Sequence, residues 1–228
     1  MKLIIQIPCL NEEATLPITL KDLPDKIDGI DCIETLVIDD GSTDKTVEVA
    51  QQYNVNHILK FTNNKGLAKA FMYGMNHALK LGADIIVNTD ADNQYFGGDI
   101  AKLIQPILDK RADIVIGNRQ VDTIRHFSPI KIFLQKFGSW IVGQLSGTTI
   151  PDATSGFRAY SREAALQMNV VSDFTYTIET IISAGKKNLA IEHIPVRTNK
   201  KLLEYFIEKF PQQALGSSVF FGGGLASG

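Results

Sequence analysis

The stretch Ile85–Tyr95, IIVNTDADNQY, decides how the rest of the chain is read. Ile85, Ile86 and Val87 are apolar without alternation, the pattern of a short, fully buried strand. Asp90 and Asp92 follow just past its carboxyl end, which in an open α/β sheet is the end where ligands bind. Two carboxylates two residues apart, with Gln94 two further on, offer hard oxygen ligands to one divalent cation. Mg²⁺ or Mn²⁺ suits such a set, since these ions are held by one or two carboxylates together with substrate phosphates. A D-x-D alone is a weak signal, because a solvated acidic turn has the same spelling.

Toward the N-terminus the strand-then-acidic-turn pattern recurs. Leu3–Ile7 reads as a first buried strand, stopped by Pro8, which has no N–H for a ladder. Asn11 is the expected N-cap of a helix running to about Lys21. Glu34–Ile38 reads as a second strand. It ends in Asp39-Asp40-Gly41-Ser42-Thr43-Asp44, where Ser42 or Thr43 would cap a helix over Thr46–Tyr53. Asp44 is expected as an acid of that helix's first turn. A third strand at His57–Phe61 leads through a turn, Asn63–Gly66, to a helix over Leu67–Leu81 that Gly82 ends as a C′ glycine. Beyond the opening stretch come a helix at Asp99–Lys110 and a fifth strand at Asp113–Ile116. Asp152–Arg158 is a loop entering a short strand. Helical segments at about 162–168 and 175–185 precede a last strand, Leu189–Val196. This alternation predicts an α/β fold with a mostly parallel central sheet flanked by helices.

Composition narrows the function classes. A net charge of −2 over 228 residues gives no basic field directed at nucleic acid. Cys9 and Cys32 make no disulfide framework and have no metal-ligand company, so they read as small buried hydrophobes in a reducing compartment. No run of about 18 apolar residues is present to cross a membrane, and KLIIQI is too short for a signal segment. Pro129–Leu145 places Ile130, Phe133, Leu134, Phe137, Trp140, Ile141 and Leu145 near helical spacing, with Lys131 and Lys136 beside them. It reads either as a core helix or as a helix lying on a membrane surface or a lipid groove. His57, His77, His126 and His193 have no ligand spacing and are expected to be structural or superficial, with His126 the strongest exception. Arg158 and Glu179 are candidates for a structural ion pair.

Three acidic loops, Asn11-Glu12-Glu13, Asp39-Asp40 and Asp90/Asp92, follow successive strands. Right-handed crossovers bring those strand ends to one sheet edge. Carboxylates gathered there need donor groups and a cation, and a nucleoside diphosphate bridged by Mg²⁺ supplies both. The chain lacks GxGxxG after its first strand and lacks GxxxxGK[ST], which disfavours a dinucleotide-binding fold and a P-loop NTPase.

Five segments then carry a family resemblance: IPCLNEE at 7–13, VIDDGSTDKT at 37–46, NTDADNQY at 88–95, IGNR at 116–119 and DATSGFRAY at 152–160. Together and in this order they resemble a family 2 glycosyltransferase of the GT-A fold, in particular the polyprenyl-phosphate glycosyltransferases of the dolichyl-phosphate mannose synthase type. The resemblance covers residues 3 to about 199 and implies a GT-A domain over residues 1–199; by composition, 200–228 reads separately as a short helix and a flexible, Gly- and Ser-rich tail, truncated or non-native in origin. It implies that Pro8, Glu12 and Asp40 line the nucleotide base and ribose, with Asp39 beside them. It implies metal binding by Asp90, Asp92 and Gln94, and phosphate contact by Arg119 through a bidentate fork, with Arg125 a weaker candidate. Asp152 would stand on the acceptor side, so that Asp152, Arg119 and Asp92 carry the chemistry. The implied reaction is inverting transfer from a GDP- or UDP-sugar to a dolichyl or undecaprenyl phosphate, on Mg²⁺ or Mn²⁺, by a protein peripheral to the cytoplasmic face of a membrane. Transfer to a saccharide hydroxyl is the alternative, with Asp152 as the base. A catalytically weak nucleotide-sugar-binding module is another, and a nucleotidyltransferase is disfavoured by the missing Gly- and Lys-rich loop after the first strand. Two segments depart from the family pattern. Asn64-Lys65-Gly66-Leu67 keeps only part of a basic loop, and Lys200-Lys201 stands where an Arg- and Ser-containing segment is usual.

Overall fold

A computed structural model describes residues 1–119, 152–170 and 176–199. Arg125, His126, the amphipathic segment 129–145 and the segment beyond Asn199 lie outside the described residues. The order of elements is β1 (Lys2–Cys9), α1 (Leu16–Asp22), β2 (Cys32–Asp39), α2 (Thr46–Gln52), β3 (His57–Lys60), α3 (Leu67–Lys80) and β4 (Ile85–Asn88). A single 3₁₀ turn, Gly97–Asp99, then leads into α4 (Ile100–Leu108) and β5 (Ile114–Asn118). Next come β6 (Arg158–Ser161), α5 (Arg162–Gln167), α6 (Tyr176–Lys186) and β7 (Ile191–Pro195).

The seven strands form one sheet in the order β3-β2-β1-β4-β6-β5-β7. Its pairs are parallel except those made by β6, which runs antiparallel between β4 and β5. Both faces are covered, and this explains the unbroken apolar runs. Leu3, Ile5, Ile7, Ile85 and Val87 pack on one face with α4 residues Ile100, Leu103 and Ile104. Ile4, Leu36, Ile38 and Ile86 pack on the other with Phe71 and Met75 of α3 and Tyr160. Helix α3 sits close to the sheet because Gly74 has no side chain. A Cβ there would fall 2.6 Å from Gln6 Oε1 and 2.8 Å from Ile38 Cδ1.

Three local expectations need correction. Strand β1 does not stop at Pro8 but pairs with β2 through Cys9↔Asp39. Carbonyls alternate along the strand: that of Gln6 accepts from Thr89 on the β4 side, and that of Cys9 accepts from Asp40 on the β2 side. Pro8 therefore shares the Gln6 side, where pairing with β4 has already ended at Asn88, and its missing N–H costs no ladder bond. Asn11 is not a helix cap. Its φ of +57° is left-handed, and α1 begins only at Leu16, with Thr15 at the N-cap and proline in its first turn. Neither Ser42 nor Thr43 caps α2, whose N-cap position is Lys45. Asp44 precedes that helix, and its Oδ1 accepts the Thr46 N–H at 3.0 Å. Gly82, with φ +83°, does follow α3 as expected.

Candidate active site

The parallel strands end together at Cys9, Asp39, Lys60, Asn88 and Asn118, so the loops that follow them share one edge. Because β6 is antiparallel, the loop entering it, Asp152–Phe157, arrives at that same edge.

The first three loops are sewn together by side chains that accept backbone N–H groups. Asn11 Oδ1 accepts from Thr43 N at 2.9 Å, Glu13 Oε2 from Lys45 N at 2.9 Å, and Asp44 Oδ2 from Glu13 N at 3.0 Å. Asp40 is buried, and its two oxygens accept from Lys65 N at 2.7 Å and Gly66 N at 2.9 Å. It thereby holds the turn before α3. Gly41 lies against that turn at φ +81°. A Cβ there would be 2.8 Å from the backbone of Asn63 and Asn64. Asp39 is fully enclosed. One oxygen accepts from Ser42 N at 3.2 Å, and the other, Oδ2, has no donor among the described residues. Pro8 is half-buried beside them on β1.

A second set of acids is poor in donors. The Glu12 carboxylate accepts the Thr15 hydroxyl. Burial pushes its pKa up to about 7 against that bond, and the charges of Asp92 and Asp44 add to the rise. Asp90 is also pushed up to about 7, by burial first and then by Asp92, with Arg119 opposing. Asp92 stands at the exposed rim, yet it too is raised by the protein around it, while the Gln94 N–H at 3.0 Å from Oδ1 favours its charged form. Gly156 makes room for Asp90: a Cβ there would meet the Asp90 oxygens at 2.8 and 3.1 Å. The Gly156 backbone is itself pinned. Its carbonyl accepts from Asn88 Nδ2 at 2.8 Å, and its N–H reaches the Tyr95 hydroxyl at 3.1 Å. Asn88 is fixed in turn by Gln6 at 2.9 Å.

These residues fit a divalent cation of the Mg²⁺ or Mn²⁺ kind. The donors are hard oxygens, they repel one another, and burial, which a bound cation would offset, raises their pKa values. Among the described residues no three acidic, histidine or cysteine side chains converge as a complete metal set. Asp90 and Asp92 would therefore hold the ion jointly with ligand phosphates and water.

Arg119 and Asp152 meet in a buried, two-pronged ion pair. Nε lies 2.8 Å from Oδ2 and Nη2 3.0 Å from Oδ1. Thr154 Oγ1 accepts from Nη2 at 2.8 Å, and Gln94 Oε1 accepts from Nη1 at 3.3 Å. Four of the five guanidinium N–H groups are thus engaged, and the expected bidentate fork toward phosphate is occupied by Asp152. The same contact occupies both oxygens of Asp152. Although burial alone would raise its carboxyl, Arg119 holds it below the usual carboxylate range. Gln94 links the acidic loop to Arg119 through the oxygen expected to face a metal. Arg158 is fully buried, and its guanidinium donates to the carbonyls of Ala153, Ser155 and Thr177 and to the Thr180 hydroxyl, which fixes the loop entering β6. His193 is neutral: burial and Arg158 push its pKa down to about 4. His57 pairs with Glu34 at 2.7 Å, at the opposite end of the sheet.

Comparison with known proteins now decides the family. Residues 4–167 match the model of Glycosyl transferase family 2. The chain belongs to that family. It is 30% identical to the UDP-N-acetylglucosamine–dolichyl-phosphate N-acetylglucosaminyltransferase of Methanococcus voltae, over 94% of this chain and 92% of the relative. It is 28% identical to the undecaprenyl-phosphate mannosyltransferase of Micrococcus luteus, over 98% and 89%. Its fold matches glucosyl-3-phosphoglycerate synthase from Mycobacterium tuberculosis, solved with Mn²⁺, uridine diphosphate and phosphoglyceric acid. That match has a TM-score of 0.68 at 18% identity, covering 99% of this chain and 80% of that one. This family 2 member therefore has the mostly parallel α/β sheet and flanking helices of the GT-A glycosyltransferases. Among its described residues no helix is long and apolar enough to cross a membrane. Sequence reasoning missed the tie of Asp152 to Arg119 and the supports Gln6, Asn88, Tyr95 and Thr154. Asn88, Tyr95 and Thr154 stand inside the family segments, but only their contacts across the fold give them a role.

Proposed function

We propose that this chain is an inverting, metal-dependent glycosyltransferase that moves a sugar from a nucleoside-diphosphate donor onto a polyprenyl phosphate at the cytoplasmic face of a membrane. The observation that carries the reading is the division of labour at the sheet edge. Glu12, Asp90 and Asp92 are crowded and short of positive charge, whereas Asp152 is locked to Arg119. A cation, when bound, would neutralise charge developing on the departing diphosphate.

The chain's own groups supply the rest. Asp90 and Asp92 would hold the cation. The remaining Arg119 N–H, on Nη1, would meet a phosphate oxygen. With Asp152 clamped, no free base stands on the acceptor side among the described residues, which favours an acceptor already ionised near neutral pH. A lipid phosphate satisfies that condition. Its oxygen forms the new bond to the anomeric carbon as the bond to the diphosphate breaks on the opposite face, and the configuration inverts. Relatives named as polyprenyl-phosphate transferases, such as those of Methanococcus voltae and Micrococcus luteus, support this acceptor.

Isothermal titration of UDP and of GDP, each with Mn²⁺ and with EDTA, tests the donor site in the wild type and Asp92→Ala. Metal-dependent binding of one nucleotide, lost in Asp92→Ala, is the expected result. Binding of neither nucleotide to the folded wild type would overturn the transferase reading. Turnover with a polyprenyl phosphate, but not with free saccharides, is expected on the acceptor side.

A further inference from the structure

Beyond β7 the chain folds back along the acidic loop. Thr198 bridges Tyr95 in antiparallel sense, and the Phe96 N–H donates to the Arg197 carbonyl at 3.3 Å. Asn199 then takes three consecutive carbonyls. Its backbone N–H donates to Gln94 O at 2.9 Å, and its side-chain amide to Asn93 O at 3.2 Å and Tyr95 O at 3.4 Å. These are the peptides immediately after Asp92. Asn93 is buried and holds φ at +52°, a left-handed conformation that asparagine tolerates. Gln94, the middle of the three, points its own N–H back at Asp92 Oδ1. The near end of the loop has a separate tie, from Thr19 Oγ1 to Ala91 O at 2.8 Å.

We propose that Asn199 is a positioning residue for the divalent cation, its amide fixing the 93–95 peptides and, through the Gln94 N–H, the direction of the Asp92 carboxylate. The proposal rests on the metal-dependent reading of the site. It differs from a general bracing role in a way that the neighbouring residue exposes. Arg197 anchors the same segment, with its guanidinium 2.7 Å from Asp99 Oδ1 and 3.9 Å from the centre of the Phe96 ring. Its side chain bonds to Asp99 and covers Phe96, while the ties to the 93–95 carbonyls come from Asn199. Loosening the segment at Arg197 and loosening the peptides at Asn199 are therefore separable.

The test is Mn²⁺ binding to the full chain, followed by the electron paramagnetic resonance signal of free Mn²⁺ at saturating UDP or GDP. Thermal midpoints are measured on the same samples. Removal of an outer support of this kind weakens metal binding about 10-fold or more, and that loss is expected for Asn199→Ala. Asn199→Asp should bind still more weakly, because a carboxylate would face two carbonyl oxygens. Arg197→Ala should lower the thermal midpoint yet bind Mn²⁺ as the wild type does. Turnover of Asn199→Ala should recover as Mn²⁺ is raised, with KM for the acceptor unchanged. Wild-type Mn²⁺ affinity in Asn199→Ala, or equal weakening in Arg197→Ala, would overturn the proposal while leaving the transferase intact. A wild type that binds no Mn²⁺ with either nucleotide would remove the transferase reading, and this proposal with it.

Discussion

Glu12→Gln should stabilise the metal-free protein, and by an amount that depends on pH. Glu12 is held mostly out of water with a single hydroxyl donor, from Thr15, and with Asp92 and Asp44 acting against its charge. Its pKa rises from 4.5 to about 7 on folding. At about 1.4 kcal/mol per unit this corresponds to about 3 kcal/mol, and partial exposure to solvent discounts it to about 2 kcal/mol. The folded chain holds this proton more tightly than the unfolded chain does. The associated stability is therefore fully present below the unfolded value and is lost as pH climbs from 4.5 to about 7. Glutamine keeps an acceptor for the Thr15 hydroxyl and carries no charge at any pH. Urea unfolding of wild type and variant at about pH 5 and about pH 8, in EDTA, reads the difference. The gain from Glu12→Gln should be about 2 kcal/mol greater at the higher pH, with metal-dependent nucleotide binding impaired. An equal gain at both pH values would refute the claim that an unmatched buried charge resides on Glu12.

Two further substitutions probe the other half of the site. Gly156→Ala puts a methyl 2.8 Å from Asp90 Oδ1. It should cut Mn²⁺-dependent nucleotide binding about 10-fold while moving the thermal midpoint by only a few degrees. A variant that binds normally would mean that Asp90 is not held where Gly156 allows it. Asp152→Asn leaves the Arg119 charge buried with half its partner, which costs about 3 kcal/mol near neutral pH. The wild type loses that advantage as pH falls through the depressed pKa of Asp152, so the gap between the two in urea unfolding should narrow in acid. A pH-independent gap would show that the pair contributes through packing alone.

Local pattern in the sequence was enough for the strands and for the edge on which the acids gather. Leu3–Ile7 and Ile85–Val87 are buried on both faces, and runs that are apolar throughout, or apolar but for Gln6, announce such strands. Asp90 and Asp92 lie just beyond β4, as strand-end logic requires. The antiparallel strand β6 was not legible as such, since Arg158–Ser161 is four residues long and nothing in RAYS specifies its neighbours or its direction. Asn11 was misplaced because its preference for N-caps competes with its tolerance of left-handed backbone, and contacts with Ser42 and Thr43 decide between them. The roles of Asp152 and Asn199 depend on partners 33 and about 105 residues away, respectively, beyond the reach of any local periodicity.

The acids of this edge are spelled alike and do different work, and the difference lies in how many donors each one meets. Asp40 receives two backbone N–H groups and becomes the fastening of the turn before α3. Asp152 receives a guanidinium and becomes the anchor of Arg119. Glu12, Asp90 and Asp92 receive little and stay crowded, which is the condition that makes a cation welcome. The reversal of β6 is what permits this partition. If β6 ran parallel to its neighbours, its entering loop, with Asp152, Thr154 and Gly156, would lie at the far end of the sheet. Arg119 would then have no carboxylate to clamp it, and Asp90 would lack the glycine that leaves room for its oxygens. One antiparallel strand in a parallel sheet thus converts a row of acidic turns into a site with a crowded, donor-poor acidic half and a fixed basic half.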